Sequence, residues 1–495
     1  MRLYYSYLLS LLFAFAISSC SKNDDSDINN GGSTDTRVTT DEIYYANKFA
    51  GDVLSDIYLW NKEIKSDLTK LDPNTNTDPI STVKDIRYKQ NGADVDKWTQ
   101  LTNDYSSFTS SLAGVETTYG YDVMLGQFSN TKNYFFIITF VYDNSPAKKA
   151  GIKRGDIIIK IDDKDITKDN YLNALYSSSV KLGMGINTES GISAGSSINL
   201  TAVKMYEDPV LLSKIFEFGG KKAGYLAYAS FDMISVPKLI SICKEYKAAG
   251  VTELILDLRY NGGGYVVTEE AMASMFAPES EVKAKALYQT EIWNEEYTAY
   301  FKQKGTDLNT YFKTSFSIKD EYNILSTVST DGANIGLKKI YAIISSGTAS
   351  ASESLIIGLM PFMDVELIGE QSHGKYCTGS VLNPSDIYDK VPSSISNWGI
   401  YVMINRYADK NGNNPCMPNG LTPDIAVDDN PFDGHQLGDE QETMLKVALT
   451  KAGKTDIPTV KSRSVSLPDY SMKHISTRSL DGKRISTRPL ENIKK

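Results

Sequence analysis

The stretch KIYAIISSGTASASESLIIGL, residues 339–359, passes from a strand pattern into a helical one. Residues 339–344 are apolar and β-branched, and residues 353–359 continue as an apolar helical run. Between them SGTASASE, residues 346–353, places three serines and a threonine at the turn. A serine there is most simply a helix N-cap. The same position also sets a hydroxyl beside backbone amides and the positive end of a helix, which suits a nucleophile.

Further apolar, β-branched runs alternate with helical patterns over residues 206–450. They cover residues 223–229, 253–258 and 365–368, and a helix is expected around residues 440–451. This alternation predicts an α/β layer structure. Residues 40–117 carry helical spacing instead, which predicts a helical N-terminal domain.

Two of these strand runs lead into glycines. LILDLRYNGGG, residues 254–264, ends on three successive glycines, and IGEQSHGK, residues 368–375, ends on a lysine. Glycines at the end of a strand leave backbone N–H groups open to close approach by another chain. These two segments are therefore candidate partners for a nucleophilic serine in the SGTASASE turn.

DLRxNxGG, GTASASE and GExxxGK in this order resemble the motifs of the C-terminal processing, or tail-specific, serine peptidases. The resemblance implies a crotonase-like α/β protease core over residues 206–452. It implies a serine–lysine dyad, with Ser350 as nucleophile and Lys375 as base. It also implies an oxyanion hole formed by the amide of Ala351 with that of Gly264 or Gly263.

The chemistry requires a neutral lysine. A serine hydroxyl attacks only when a base takes its proton, and lysine in water at pH 7 is almost wholly protonated. Burial lowers a lysine pKa, so we expect Lys375 in apolar surroundings with no carboxylate beside it. His373 is an alternative base, but related enzymes usually carry an aromatic residue there, and we interpret it as a packing residue. Gly379 departs from the family, in which a glutamine commonly follows the lysine by four residues.

SPAKKAGIKRGDIIIKI, residues 145–161, resembles the PDZ domain and follows a β-rich run at residues 135–142. In that family a peptide adds as a strand beside an exposed sheet edge. The resemblance assigns residues 118–205 to a PDZ-like β domain and peptide binding to Tyr121, Val123 and Leu125.

The N-terminus resembles a bacterial lipoprotein signal. Arg2 precedes a short apolar run, which ends in ISSC at residues 17–20. This resemblance predicts a signal peptide over residues 1–19, lipidation at Cys20 and a flexible tether over residues 20–39. It places the protein at the cell envelope, in the outer membrane, facing the periplasm or the surface. The membrane is then a partner through the lipid anchor.

The 495-residue chain has a net charge of −9 and a pI of about 5.2, which argues against a general affinity for nucleic acid. Cys243 is interpreted as a buried apolar residue, whereas a bridge between Cys377 and Cys416 is left open. No cysteine or histidine cluster indicates a metal, and no cofactor is expected. Residues 453–495 are basic and rich in serine and threonine, and we expect a flexible tail there.

The leading hypothesis is a serine endopeptidase of the cell envelope that captures unstructured C-terminal tails with its PDZ domain. A peptide-binding lipoprotein on the same scaffold, with weak or no hydrolysis, is the first alternative. A crotonase-like activity on small acyl compounds gives the PDZ signature no purpose. A purely structural lipoprotein explains none of the motifs.

Overall fold

The computed structural model describes residues 37–128, 130–188, 191–320, 322–457, 470–475, 482–486 and 488. The predicted signal segment and Cys20 lie outside these residues. Among the described residues, no helix is both long enough and apolar enough to cross a bilayer.

The N-terminal region is mainly helical and packs on the core. Its first helix begins where expected, because the Ile43 amide donates to the hydroxyl of Thr40 at 3.3 Å and caps the first turn. Phe49 and Val53 on this helix are buried in the same cluster as the core strands. The elements are α1 (Asp41–Asp56), a 3-10 helix (Asp67–Leu71), α2 (Pro79–Ile86), β1 (Lys89–Gln90), β2 (Ala93–Asp94), β3 (Gln100–Thr102) and α3 (Tyr105–Leu112).

The second region is a β domain with its own apolar core, which includes Phe136 and Ile158. Its sheet has the order β10-β9-β7-β6-β5, β8 pairs with β7, and β4 pairs with β11. The elements are β4 (Val115–Thr118), β5 (Tyr121–Phe128), β6 (Tyr134–Val141), α4 (Pro146–Lys149), β7 (Ile157–Ile161), β8 (Lys164–Asp165), α5 (Asn173–Tyr176), β9 (Ser179–Thr188), β10 (Gly191–Thr201) and β11 (Val203–Tyr206).

The third region alternates strands and helices, as predicted. Its elements as far as the nucleophile turn are β12 (Val210–Phe218), β13 (Lys221–Tyr228), α6 (Val236–Ala249), β14 (Glu253–Asp257), β15 (Gly263–Tyr265), α7 (Val266–Phe276), α8 (Glu279–Lys283), β16 (Leu287–Trp293), α9 (Glu295–Lys304), β17 (Asn309–Tyr311), β18 (Ser315–Lys319), β19 (Leu325–Ser329) and β20 (Lys339–Ile344). The rest are α10 (Ala351–Leu359), β21 (Asp364–Gly369), β22 (Cys377–Leu382), α11 (Pro384–Ile387), a 3-10 helix (Ser393–Ile395), β23 (Gly399–Asp409), β24 (Ile425–Ala426), a 3-10 helix (Pro431–Asp433), α12 (Thr443–Lys451), β25 (Tyr470–Ile475) and β26 (Lys483–Ile485).

Two sheets build this core. The first has the order β12-β13-β14-β20-β21-β24 and is parallel from β13 onward. Side chains of α12 bury one face of it, and side chains of α6, α7 and α10 bury the other. The second sheet has the order β15-β26-β22-β23-β16-β17, with β3 paired to β23. The predicted α/β layer structure is confirmed, with a β domain and a helical N-terminal region beside it.

A buried ion network joins the β domain to the core. Arg154 of the β domain donates to Asp429 at 2.7 Å. Arg259, which follows β14, binds both oxygens of Glu442 at 2.6 and 2.9 Å and contacts Asp257 at 2.8 Å. All five of these side chains are at most 2% exposed, so each charge depends on the others for its compensation. The arginine of the DLRYNGGG motif therefore fixes the strand end that leads into the glycines.

Two described segments within the predicted flexible tail, residues 453–495, form strands. Residues 470–475 form β25, which pairs antiparallel with β5, and residues 483–485 form β26 inside the second core sheet. Arg484 is only 4% exposed. A basic composition suggested solvation, but the charge of Arg484 is compensated by the distant Glu269 on α7.

Candidate active site

Ser350 stands at the turn between β20 and α10, directly before the first residue of that helix. Its backbone has φ +66° and ψ −111°, a conformation that residues other than glycine rarely adopt. Such strain persists only where the surrounding structure holds it, and it concentrates at functional sites. Ser350 is fully buried, and its Oγ has no hydrogen-bond partner among the residues that the structure describes. The Ser350 hydroxyl is therefore available to another group.

Lys375 lies just before β22 and is fully buried. Its Nζ donates to the hydroxyl of Tyr401 at 2.9 Å and to the carbonyl of Gly482 at 2.5 Å. The rings of Trp98 and Tyr401 lie 5.0 and 4.9 Å from this nitrogen, measured to their centroids. Burial holds the pKa of Lys375 well below its usual value, and the charge of Lys483 lowers it further. No described carboxylate forms an ion pair with the Lys375 amine.

The amine can therefore be neutral, as a general base must be. A neutral amine has two N–H donors and one lone pair. The two hydrogen bonds to Tyr401 and Gly482 occupy both donors, which leaves the lone pair for a proton. The hydrogen bond between Ser350 and Lys375 is not formed in this structure, so the dyad requires the serine side chain or the amine to turn.

Glu353 joins the backbones of the two residues. Its Oε2 accepts from the amide of Ser350 at 2.7 Å and from the amide of Lys375 at 2.9 Å. Its Oε1 accepts from the amide of Gly374 at 2.7 Å and from the hydroxyl of Ser372. Burial raises the pKa of Glu353, against the effect of these four donors. One carboxyl group thus holds the start of α10 against the loop that carries Lys375.

Tyr407 makes a second bridge between the same segments. Its hydroxyl donates to the carbonyl of Lys375 at 2.8 Å and lies 3.3 Å from the carbonyl of Ser350. The relative position of the two candidate residues is therefore fixed at both the amide and the carbonyl groups.

Gly263, in the glycine run after Asn261, lies against Ser350. A Cβ added to Gly263 would come within 2.9 Å of the Ser350 Cβ, and one added to Gly264 would come within 2.4 Å of the Phe231 carbonyl. The Gly263 amide donates to the Asn261 side chain at 2.9 Å and is already used. Of the predicted oxyanion donors, this leaves the amide of Ala351 at the helix start and that of Gly264, whose strand β15 pairs with β26 in this structure.

Residues 222–427 match Peptidase family S41, and residues 137–182 match the PDZ domain family. This chain carries an S41 peptidase domain. The family resemblance and the PDZ signature predicted from the motifs are confirmed.

The relatives of the S41 domain include named processing proteases. Carboxy-terminal processing protease CtpA of Bacillus subtilis is 25% identical over 232 residues, which cover 47% of this chain and 42% of that protein. A carboxyl-terminal-processing protease of a Picosynechococcus species is 22% identical over 309 residues, which cover 62% of this chain and 64% of that protein. The chain thus spans less than two thirds of the length of either relative.

A solved crystal structure supports the fold of the S41 domain and of the regions of the chain beside it. The structure of a putative S41 protease from Bacteroides fragilis superposes with a TM-score of 0.64 at 21% identity. It covers 82% of this chain and 98% of that chain. The likeness extends beyond the peptidase domain to most of the described residues.

Packing explains why position 379 of the S41 domain is a glycine. A Cβ at this position would come within 2.4 Å of the Tyr401 ring, so any side chain larger than hydrogen would displace that ring. The hydroxyl of Tyr401 reaches the Lys375 amine from the neighbouring strand β23. Tyr401 thus provides the amine with a hydrogen bond of the kind that the family's glutamine was expected to make. No local sequence pattern points to Tyr401, because it reaches the amine only through the pairing of β22 with β23.

We expect Tyr401→Phe to lower kcat by about 10- to 100-fold, because a misplaced catalytic group of this kind can cost up to about 10² in rate. The phenyl ring keeps the packing on Gly379 but loses the hydroxyl that positions Lys375. The measurement is steady-state hydrolysis of a fluorogenic peptide, with a pH profile of kcat/KM. The matched control is Tyr388→Phe, which removes a hydroxyl that donates to Asp52 in the N-terminal helix α1. An unchanged kcat and pH profile in Tyr401→Phe would contradict the positioning role.

His373 of the S41 domain lies beside Trp98. Its side chain is exposed, and its ring lies 6.3 Å from that of Trp98. Its amide donates to the Thr348 carbonyl at 2.9 Å.

Cys377 and Cys416 are free, buried thiols, as is Cys243, so the bridge left open from the sequence is absent among the described residues. The described residues also contain no cluster of metal-ligating side chains.

The predicted peptide-binding residues Tyr121, Val123 and Leu125 all lie on β5. Tyr121 and Val123 are buried in the core of the β domain, and the Tyr121 hydroxyl donates to the Ala174 carbonyl. Their side chains are therefore occupied within the domain. A peptide bound at this strand would use its backbone edge, which in this structure pairs with β25.

Proposed function

We propose that the protein is a serine endopeptidase that cleaves polypeptides near unstructured C-terminal tails. The observation that carries this proposal is the fully buried Lys375 amine, whose pKa is lowered by burial. Glu353 ties the backbone amide of Lys375 to that of the strained Ser350. Burial without an ion pair is costly for a lysine unless the amine is used neutral.

In the proposed reaction, Lys375 takes the hydroxyl proton of Ser350 as its Oγ attacks the substrate carbonyl. The amides of Ala351 and Gly264 stabilise the resulting oxyanion, and the protonated Lys375 donates to the leaving amine. Water then hydrolyses the acyl-enzyme by the same proton transfers. The PDZ domain holds the substrate tail along the edge of β5.

The test is hydrolysis of an unstructured protein mixture by the wild type, Ser350→Ala, Lys375→Ala and His373→Ala. We expect the first two variants to lose hydrolysis together and His373→Ala to retain it. Survival of activity in Lys375→Ala with its loss in His373→Ala would identify a different base. Labelling of the wild type, but not of Ser350→Ala, by a fluorophosphonate gives an independent measure of the nucleophile.

A peptide-binding protein with weak hydrolysis is the second candidate. It is favoured by the Ser350 Oγ, which has no partner among the described residues, and by the Lys375 amine, which contacts Gly482 instead. This candidate predicts tail binding by the wild type without release of new termini. Mass spectrometry of the protein mixture after incubation distinguishes the two functions.

We propose further that the protein is a lipoprotein of the cell envelope, anchored at Cys20, in the outer membrane. The ISSC sequence at residues 17–20 and the preceding apolar run support this location. Metabolic labelling with a fatty-acid analogue should mark the wild type and not Cys20→Ser. Equal labelling of both would remove the anchor from the proposal.

A further inference from the structure

The C-terminal strand β26 lies in the candidate active site. It pairs in parallel with β15, with Gly264 opposite Arg484. The Gly482 amide donates to the Gly262 carbonyl at 2.7 Å, and the Gly482 carbonyl accepts from Lys375 Nζ at 2.5 Å. A segment of the chain's own C-terminal region therefore runs along the glycines where a substrate strand would be expected to bind.

The side chain of Arg484 enters a polar pocket in the core. Its Nε donates to Glu269 at 2.8 Å, and its Nη2 donates to Gln289 at 2.8 Å. Its Nη1 donates to the Thr378 hydroxyl, and the Tyr407 ring lies 4.6 Å from the guanidinium carbon. A buried carboxylate, several acceptors around a planar fork and an aromatic face suit arginine better than lysine.

The preceding strand β25 occupies the second peptide site. Its six residues pair antiparallel with β5, from Tyr470 opposite Phe128 to Ile475 opposite Val123. This is the strand to which the PDZ resemblance assigns peptide binding, and strand addition is the binding mode of that family. The same C-terminal region thus contributes one strand to each of the two sites.

The Gly482 carbonyl of β26 is not placed for cleavage. A scissile carbonyl must direct its oxygen to the oxyanion donors. The Gly482 oxygen instead accepts a hydrogen bond from the base, and this bond also restrains the amine away from Ser350. The strand is held at the site as an occupant and is not presented as a substrate at this carbonyl.

We propose that β25 and β26 are intramolecular occupants of the protein's two peptide sites, and that the pocket of Glu269, Gln289 and Thr378 is a subsite that selects an arginine side chain of the polypeptide substrate. The inference deepens the proposed function and rests on it for hydrolysis. Peptide binding at the subsite can be measured without hydrolysis.

The binding test uses the full chain with Ser350→Ala and a labelled peptide GKRISTR, the sequence of residues 482–488. Two further variants displace β26. Arg484→Ala removes the anchoring side chain. Gly482→Pro is incompatible with the φ of +66° at this position and removes the amide bound to Gly262, while it leaves Arg484 and the pocket chemically intact.

We expect both displaced chains to bind the peptide at least about tenfold more tightly than the chain with β26 in place, because a tethered segment competes at an effective concentration of about millimolar. The control Arg488→Ala removes the same charge from the same region. Arg488 contacts the partly exposed Glu291 and does not enter the pocket, so this chain should bind like the parent. A peptide with alanine in place of its first arginine should bind none of the chains appreciably.

Equal binding of the peptide by all four chains, binding by none of them, or equal binding of the alanine peptide would overturn the proposal. Thermal melting establishes that each chain is folded, and Gly482→Pro carries the test if Arg484→Ala does not fold. With Ser350 restored, both displaced chains should hydrolyse an arginine-containing substrate at least about tenfold faster than the wild type. Binding without any hydrolysis would support the subsite and contradict the catalytic role of Ser350.

Discussion

Replacement of Lys375 by methionine is expected to abolish hydrolysis and to raise the free energy of unfolding at pH 7. The loss of activity should reach roughly 10⁴- to 10⁶-fold, as for a base that acts as a unit with its nucleophile. The gain in stability has a separate cause. Burial lowers the pKa of the folded amine, so the unfolded chain binds the proton at Lys375 more tightly than the folded chain does.

The sign of this effect gives a pH signature. Between the lowered pKa of folded Lys375 and the unfolded value of about 10.4, the unfolded state binds the extra proton, so wild-type stability rises with pH. The advantage of Lys375→Met should therefore be large at pH 7 and should shrink toward pH 10. Loss of the hydrogen bonds to Tyr401 and Gly482, about 1 kcal/mol each, reduces the advantage at both pH values.

Urea unfolding at pH 7 and pH 10 measures this difference. Lys302→Met, on the exposed side of α9, is the matched control and should show no such pH dependence. The activity of the wild type should rise with pH through one ionisation below the usual lysine range. A stability difference that does not vary with pH would show that Lys375 is charged in the folded protein, and the dyad proposal would then fail.

Glu353→Gln is expected to lower kcat/KM by about 10²-fold, because the two backbones that carry Ser350 and Lys375 lose their common acceptor. The carboxylate receives four donors, whereas a glutamine offers one acceptor oxygen and directs an NH₂ group at the remaining donors. The defect should appear in kcat more than in KM, since Glu353 is buried and does not face the substrate.

Steady-state kinetics with a fluorogenic peptide, together with a thermal melt, measures this effect. Glu279→Gln on the exposed helix α8 keeps the same chemical change away from the site. Full activity in a folded Glu353→Gln would show that Tyr407 alone fixes the geometry. Glu353→Asp should not restore the lost activity, because its shorter side chain cannot reach both segments at their present spacing.

The parts of the fold set by local pattern could be predicted from the sequence. The strand at residues 339–344 and the helix after Ser350 follow from hydrophobic periodicity, and the glycines after Asn261 follow from their backbone requirement. The family motifs added the pairing of Ser350 with Lys375, since they fix an order and a spacing that folding alone does not reveal.

Other parts of the site depend on contacts between distant segments. Glu353 could be read only as a helix-start carboxylate, because its other donors come from residues 372–375 across a strand. Tyr401 reaches Lys375 through the pairing of β22 with β23, which no local pattern announces. Arg484 lay in a basic, polar segment, and its burial depends on Glu269, which is 215 positions away.

The ion network of Arg154, Arg259, Asp429 and Glu442 has a consequence for how length is measured along a bound chain. Separation of the β domain from the core at this junction would strip enclosed charges of their partners, which typically costs several kcal/mol. The edge of β5 and the Ser350 hydroxyl are accordingly held at a set spacing. For the proposed endopeptidase, the junction would act as a molecular ruler that dictates how many residues separate the gripped end of a polypeptide from the bond that is cut.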